Sequence, residues 1–175
     1  MTCRVVFLAG AVLALLVGCG SIDDEDRPSA ASGPETTRPD TAGAGLVVMN
    51  SPHSIDTTVA RLERALEAAG PISIMARVDH AANAETVDRS LRPTRLFVFG
   101  NPDLGTPLMA ASPTTAIDLP QKMLVWADST GQVRLAYNDP AYLADRHGIS
   151  GRDDELQTIS EALRTLARRA TAPEQ

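Results

Sequence analysis

From Ala44 onward, apolar residues recur in two rhythms, and each rhythm predicts a kind of element. Gly45–Asn50, "GLVVMN", is a short apolar run that reads as a strand. Ser51–Ser54 sets up a helix with Ser54 as its N-cap. Ile55, Val59, Leu62, Leu66 and Ala69 then recur at helical spacing until Gly70-Pro71 stops them. Ile72–Asp79 returns to a period of two, with Ile72, Ile74, Ala76 and Val78 on one side and Ser73, Met75 and Arg77 on the other. A short helix is expected near Ala84–Ser90. Strands follow at Arg95–Phe99, Lys122–Ala127 and Val133–Asn138, the last two joined by the hairpin turn "DSTG". Asp139-Pro140 opens a helical piece through Arg146. Asp154–Arg169 reads as a final helix that buries Leu156, Ile159, Leu163 and Leu166.

The resulting order, β-α-β-β-β-β-α with a small inserted helix, is that of an α+β domain: an antiparallel sheet with helices on one face. The first helix, about fifteen residues at roughly 1.5 Å each, returns the chain so that the second strand starts parallel to the first. The middle strands, "LFVF" and "MLVWA", are apolar on both faces, which a bare sheet face does not favour. Something is therefore expected to cover the second face. It is either the segment Asn101–Pro120 or a second subunit, and the reading favours a homodimer.

The N-terminus changes the picture of where this domain works. Val5–Val17 is an unbroken run of thirteen apolar or glycine residues behind the single charge of Arg4. That is short of the roughly 20 residues a spanning helix takes but suits a signal sequence. It ends in Leu16-Val17-Gly18-Cys19, which resembles the lipobox of bacterial lipoproteins. The resemblance implies that Cys19 is acylated and becomes the mature N-terminus, a lipid partner holding the protein at the cell membrane outside the cytoplasm. Cys3 and Cys19 are the only cysteines. The mature chain therefore has no second thiol for an internal disulfide. Residues 1–19 are assigned to the leader. Residues 20–43, acidic and rich in Pro, Ser, Thr and Gly, are a linker that cannot bury enough surface to order itself. Residues 44–170 form the domain and 171–175 a tail.

Charge narrows the function further. The net charge is −6, and among 16 basic residues Lys122 is the sole lysine. No basic patch is available, and nucleic acid is excluded as a partner. Asp23-Asp24-Glu25-Asp26 reads as a solvated run, since no calcium-binding loop follows it.

Four blocks follow one another as they do in a known family: "ARVDHAANAE", "LRPTRLFVFGNPDLGTPLM", "IDLPQKMLVWAD" and "GQVRLAYNDPAYLADRHGI". Over Gly45 to about Ile149 the chain resembles the family called domain of unknown function 302, from which it departs in lacking a glycine at Arg89-Ser90. The resemblance implies a TATA-binding-protein-like β-α-β4-α fold, often paired as a homodimer, and implies no activity.

Candidate chemistry is concentrated at the two ends of the sheet. Within "LFVFGNPDLGTPLM", Gly100 and Gly105 are expected to supply unusual backbone angles. Thr106-Pro107 is expected to start a helix as N-cap and N1, offering free N–H groups to a ligand. Turn geometry alone also explains these residues. A meander places Asn101, Thr106, Asn138, Asp139, Arg146 and His147 at one end, so Asn101, Thr106, Asn138 and His147 are the candidate ligand-binding set. At the other end His53, Asp79 and His80 are the candidate metal set, for a metal or haem. Asp79 and His80 are adjacent at a strand end and point apart, which suits chelation poorly. No Gly-x-Ser-x-Gly elbow, His-Glu-x-x-His or nucleophilic cysteine is present, and "GAGLVV" precedes a strand where a dinucleotide fingerprint would follow one. The reading leans against an enzyme and leaves the cofactor unknown. It favours a membrane-anchored lipoprotein whose domain binds a small ligand or partner. A metal- or haem-binding accessory protein, a purely structural envelope protein, and a hydrolase or redox-accessory enzyme are its alternatives.

Overall fold

The computed structural model describes residues 40–42 and 45–173. The leader, Cys19 and most of the linker lie outside the described residues. Thr36–Gln175 forms one compact unit. Among the described residues every core residue falls between Val47 and Ala170, so this segment carries its own core.

The sheet contains β1 (Asp40–Ala42), β2 (Leu46–Ser51), β3 (Ser73–Asp79), β4 (Thr94–Gly100), β5 (Gln121–Ala127) and β6 (Val133–Asn138). Its order is β1-β2-β6-β5-β4-β3, antiparallel throughout. The α+β class expected from the pattern is the one observed. β1 falls in the segment assigned to the linker; a backbone ladder needs no apolar side chains, so composition could not reveal it. β2 and β3 do run parallel, but at opposite sides of the sheet, with β6, β5 and β4 between them.

The helices are α1 (Ile55–Glu67), α2 (His80–Glu85), α3 (Pro102–Ala111), α4 (Pro140–His147) and α5 (Asp153–Thr171), with a 3₁₀ turn at Pro113–Ile117. Ser54 caps α1 through its side chain, accepting from Thr57 N, as its sequence position predicts. α2 starts earlier than expected because Asp79, ending β3, accepts a hydrogen bond from Ala82 N at 3.0 Å and nucleates a turn at once. The left-handed residue in the following loop is Asp88, with φ 54°. It lies one position before the Arg89-Ser90 stretch where the family resemblance leads one to expect glycine.

α1 and α5 lie side by side on one sheet face. Leu62, Leu66, Leu163 and Ala167 there meet Phe97, Met123, Val125 and Leu135, all essentially inaccessible. α3 and α4 pack against α5, so the Asn101–Pro120 segment sits on the helical side and does not cover the opposite face. Across that opposite face runs one cross-strand row, Val48, Ala136, Leu124, Leu96 and Val78. Ala136 in it is buried and the others are half-buried. Among the described residues no helix is long and apolar enough to cross a membrane.

The period-two reading of β3 needs one correction. The register shifts between Ile74 and Ala76, leaving Met75 as a bulge. A bulge reverses the alternation beyond it. Ile74 therefore packs on the core while Val78 joins the opposite face. Arg77, placed on the side opposite Ile74 by the period-two reading, lies with it on the helical side and pairs with Glu63 of α1 at 2.7 Å.

Candidate functional site

The opening helix of the site is built by Asn101 and Pro102. Asn101 is the N-cap of α3, its side-chain oxygen accepting from Asp103 N at 3.0 Å, and Pro102 occupies the first turn, where a missing N–H costs nothing. Thr106-Pro107, expected to start this helix, lies inside it. Gly100 and Gly105 take no left-handed angle, contrary to expectation. What the small residues provide is room. A Cβ on Gly105 meets only Leu119 Cδ1, at 3.7 Å.

That room is part of a solvent-open cavity of about 460 Å³, bounded by α3, the Leu119-Pro120 approach to β5, the start of β3, the end of β4, and α5. Its floor is formed by Phe99, Gln121, Ile159, Leu163 and Leu166, all buried. Its rim carries Pro71, Met75, Pro102, Thr106 and Thr158, all exposed. The β3 bulge aims Met75 at this rim. Among the described residues no charged side chain lines the cavity; Asn101, Thr106, Gln121 and Thr158 are its polar residues.

The space opens to solvent between its exposed rim residues, so it is a cleft that water can enter rather than a sealed void. Water inside would need two to four polar partners each, and four polar side chains satisfy few molecules. Such water is readily displaced by an apolar solute.

The four residues nominated as a ligand set divide. Asn101 and Thr106 line the cavity; Asn138 and His147 do not. Asn138 pairs with Leu46 at the β2–β6 boundary. The His147 ring, 5% exposed, lies between Asp118 and Thr114: Nε2 is 2.7 Å from Asp118 Oδ2 and Nδ1 is 3.0 Å from Thr114 Oγ1. The carboxylate only accepts, so Nε2 donates and, in the neutral ring, Nδ1 accepts from the threonine. Arg146 also reaches Asp118, at 3.3 Å, and Ser112 Oγ donates to the His147 carbonyl at 2.8 Å. Hydroxyl, imidazole and carboxylate thus stand in the order of a hydrolytic triad. None of the three lines this cavity, however, and both ring nitrogens are engaged. The cluster pins the 3₁₀ turn to the end of α4 and so holds the Leu119-Pro120 wall of the cavity.

At the opposite end the candidate metal set is not assembled. His53 Nε2 bonds the Ala172 carbonyl at 2.8 Å, which Arg61 also reaches at 3.0 Å. Asp79 caps α2 and pairs with Arg95 at 3.2 Å. The Ala82 backbone N–H first, then the Arg95 charge, hold the Asp79 carboxyl below its ordinary range. His80 is the first residue of α2. Among the described residues no three of His, Cys, Asp and Glu are grouped to hold a metal ion.

Gln121 is the site residue that sequence reasoning missed. Its signal was present: in "QKMLVWA" it shares a face with Met123 and Val125, so a polar side chain stands where the core pattern calls for an apolar one.

The model of the family described as domain of unknown function DUF302 matches residues 47–166. Among curated proteins, the fluoride-specific ion channel FluC 1 of Brucella suis biovar 1 (strain 1330) is 42% identical over 106 residues, covering 61% of this chain and 41% of that protein. FluC 1 of Brucella abortus biovar 1 (strain 9-941) is likewise 42% identical over 106 residues, with 39% of its length covered. The chain thus spans about two fifths of the length of the curated relatives it matches. Among solved structures, an uncharacterized conserved DUF302 protein from Bacillus stearothermophilus superposes with a TM-score of 0.64 at 14% identity, covering 73% of this chain and 98% of that one. That likeness concerns the fold.

Proposed function

Because the chain belongs to the DUF302 family, whose shared fold assigns no chemistry by itself, we propose a function from this chain's own surfaces: a membrane-anchored lipoprotein, facing away from the cytoplasm, whose domain binds a small apolar ligand without transforming it. The observation that carries the reading is the uncharged cavity of about 460 Å³, within the size range of small-molecule sites. Its position beside α3 agrees with two of the residues nominated from sequence, Asn101 and Thr106. The His147 cluster supports binding over hydrolysis, since its groups are spent on one another.

The lipobox-like Leu16-Val17-Gly18-Cys19 supports the anchor. The relatives named as ion channels add to it, for a channel works in a membrane and these carry a matching segment. Their fluoride does not transfer to this cavity, because no cation lines it to hold an anion. The aliphatic row on the sheet face opposite α1 and α5 supports pairing with a second copy. Five strands about 4.8 Å apart and six residues long present a footprint of roughly 500 Å², the order of area that one partner contributes to a stable interface.

Two variants test the reading. Cys19→Ala is expected to move the protein from the membrane fraction to the medium, or to leave it unprocessed; unchanged membrane retention rejects lipidation. Gly105→Phe places a ring in the cavity and is expected to abolish uptake of a neutral fluorescent probe, N-phenyl-1-naphthylamine, by the Thr36–Gln175 domain. Uptake equal to that of the parent rejects the cavity as the site.

A further inference from the structure

The floor of the cavity combines three features. Gln121 is only 8% exposed and lines the cavity. Its carboxamide has no hydrogen-bond partner among the described residues, yet it does not rank with the fully enclosed orphan atoms, of which Thr115 Oγ1 is the one example. Gln121 keeps a little access, and the cavity it lines is where a ligand would meet it. Phe99, Ile159, Leu163 and Leu166 line the same cavity with buried apolar side chains. A buried amide without a protein partner is costly, and here the geometry leaves the partner's place open on the cavity side.

We infer that the ligand is an electrically neutral, mostly apolar molecule bearing one hydroxyl or carbonyl group, which enters first and hydrogen-bonds the Gln121 side chain at the cavity floor. This rests on the reading of the cavity as a binding site and narrows it to a ligand class. Neutrality follows from the lining. An ionised carboxylate or ammonium carried into this space meets no opposite charge, and the rim residues Met75, Pro102, Thr106 and Thr158 supply none either. The single polar group follows from Gln121. Its amide offers both donor and acceptor, so it accepts a hydroxyl in either role or a carbonyl through its N–H. A wholly saturated hydrocarbon would leave it unpaired. Long-chain alkyl alcohols, ketones and terpenoid alcohols fit this description; fatty acids and phospholipids do not.

The test uses the Thr36–Gln175 domain loaded with N-phenyl-1-naphthylamine and titrated at pH 8 with 1-decanol, decanoate and decane. Decanol is expected to displace the probe best, decane about fivefold more weakly, as one hydrogen bond is worth, and decanoate at least ~100-fold more weakly, as an unpaired buried charge requires. In Gln121→Met, an isosteric change, decanol is expected to fall to the level of decane, with the melting temperature equal to or above that of the parent. Decanoate competing as well as decanol overturns the neutral-ligand inference while leaving the cavity a binding site. Decanol and decane competing equally in the parent overturns the role of Gln121 whether or not the variant folds. Failure of the probe to bind the parent at all overturns the binding reading itself.

Discussion

At Gly45 the backbone has φ +73°, and a Cβ there would collide with the Tyr142 ring, which lies directly over it. Both the angle and the missing side chain are required, so Gly45→Ala is expected to cost more than ~1 kcal/mol in denaturant unfolding. A variant as stable as the parent would show that Tyr142 swings away freely. Asp128 governs the β5–β6 hairpin in a different way. Its Oδ1 accepts from Thr130 Oγ1 at 2.7 Å, Thr130 N at 2.9 Å and Gln132 N at 3.1 Å, and its Oδ2 from Arg134 Nε at 2.8 Å. Those bonds, the Thr130 hydroxyl first, bring its pKa down to about 2. A depressed folded value means the stabilisation is complete above the ordinary value near 3.8 and disappears as pH falls through about 2. The parent's thermal midpoint should therefore drop between about pH 4 and pH 2, and Asp128→Asn should flatten that drop. Equal slopes in the two proteins would remove Asp128 from the account.

Elements show where local pattern suffices and where it fails. α1 and α5 were legible because their apolar residues repeat at helical spacing and Ser54 caps the first of them. β3 was legible as a strand but not in its facing, since the extra residue at Met75 reverses the alternation and leaves no trace in composition. α3 was read from the wrong start. Asn101-Pro102 and Thr106-Pro107 both carry the cap-then-proline signature, and only the upstream pair can begin a helix as the chain leaves β4. Of the cavity, Asn101 and Thr106 were nominated. The walls contributed by α5 depend on tertiary packing that no local window contains. Within α3, Gly105 has ordinary helical angles and space for a methyl group. Gly105→Ala is expected to raise stability by up to ~1 kcal/mol through helix propensity, as read by chemical unfolding. A loss would mean that the Leu119 contact is tighter than it stands here.

On the scale of the whole molecule, two surfaces remain unexplained by the fold alone: the uncharged cavity at one end and the aliphatic row across the sheet face opposite α1 and α5. The account assigns a neutral ligand to the first and a second copy to the second. Leu124 lies at the middle of that row, with its side chain half-buried and away from α1 and α5. Leu124→Asp is expected to leave the fold intact by circular dichroism and to halve the mass seen by light scattering. A parent that is already monomeric at tens of micromolar would contradict pairing through this face.

Both assignments meet in native mass spectrometry of the Thr36–Gln175 domain secreted by its own host and never exposed to detergent. The account predicts ions of two copies, each carrying one neutral adduct that is released on activation without altering the charge balance. A bare single-chain mass, with no adduct under the gentlest conditions, would contradict it.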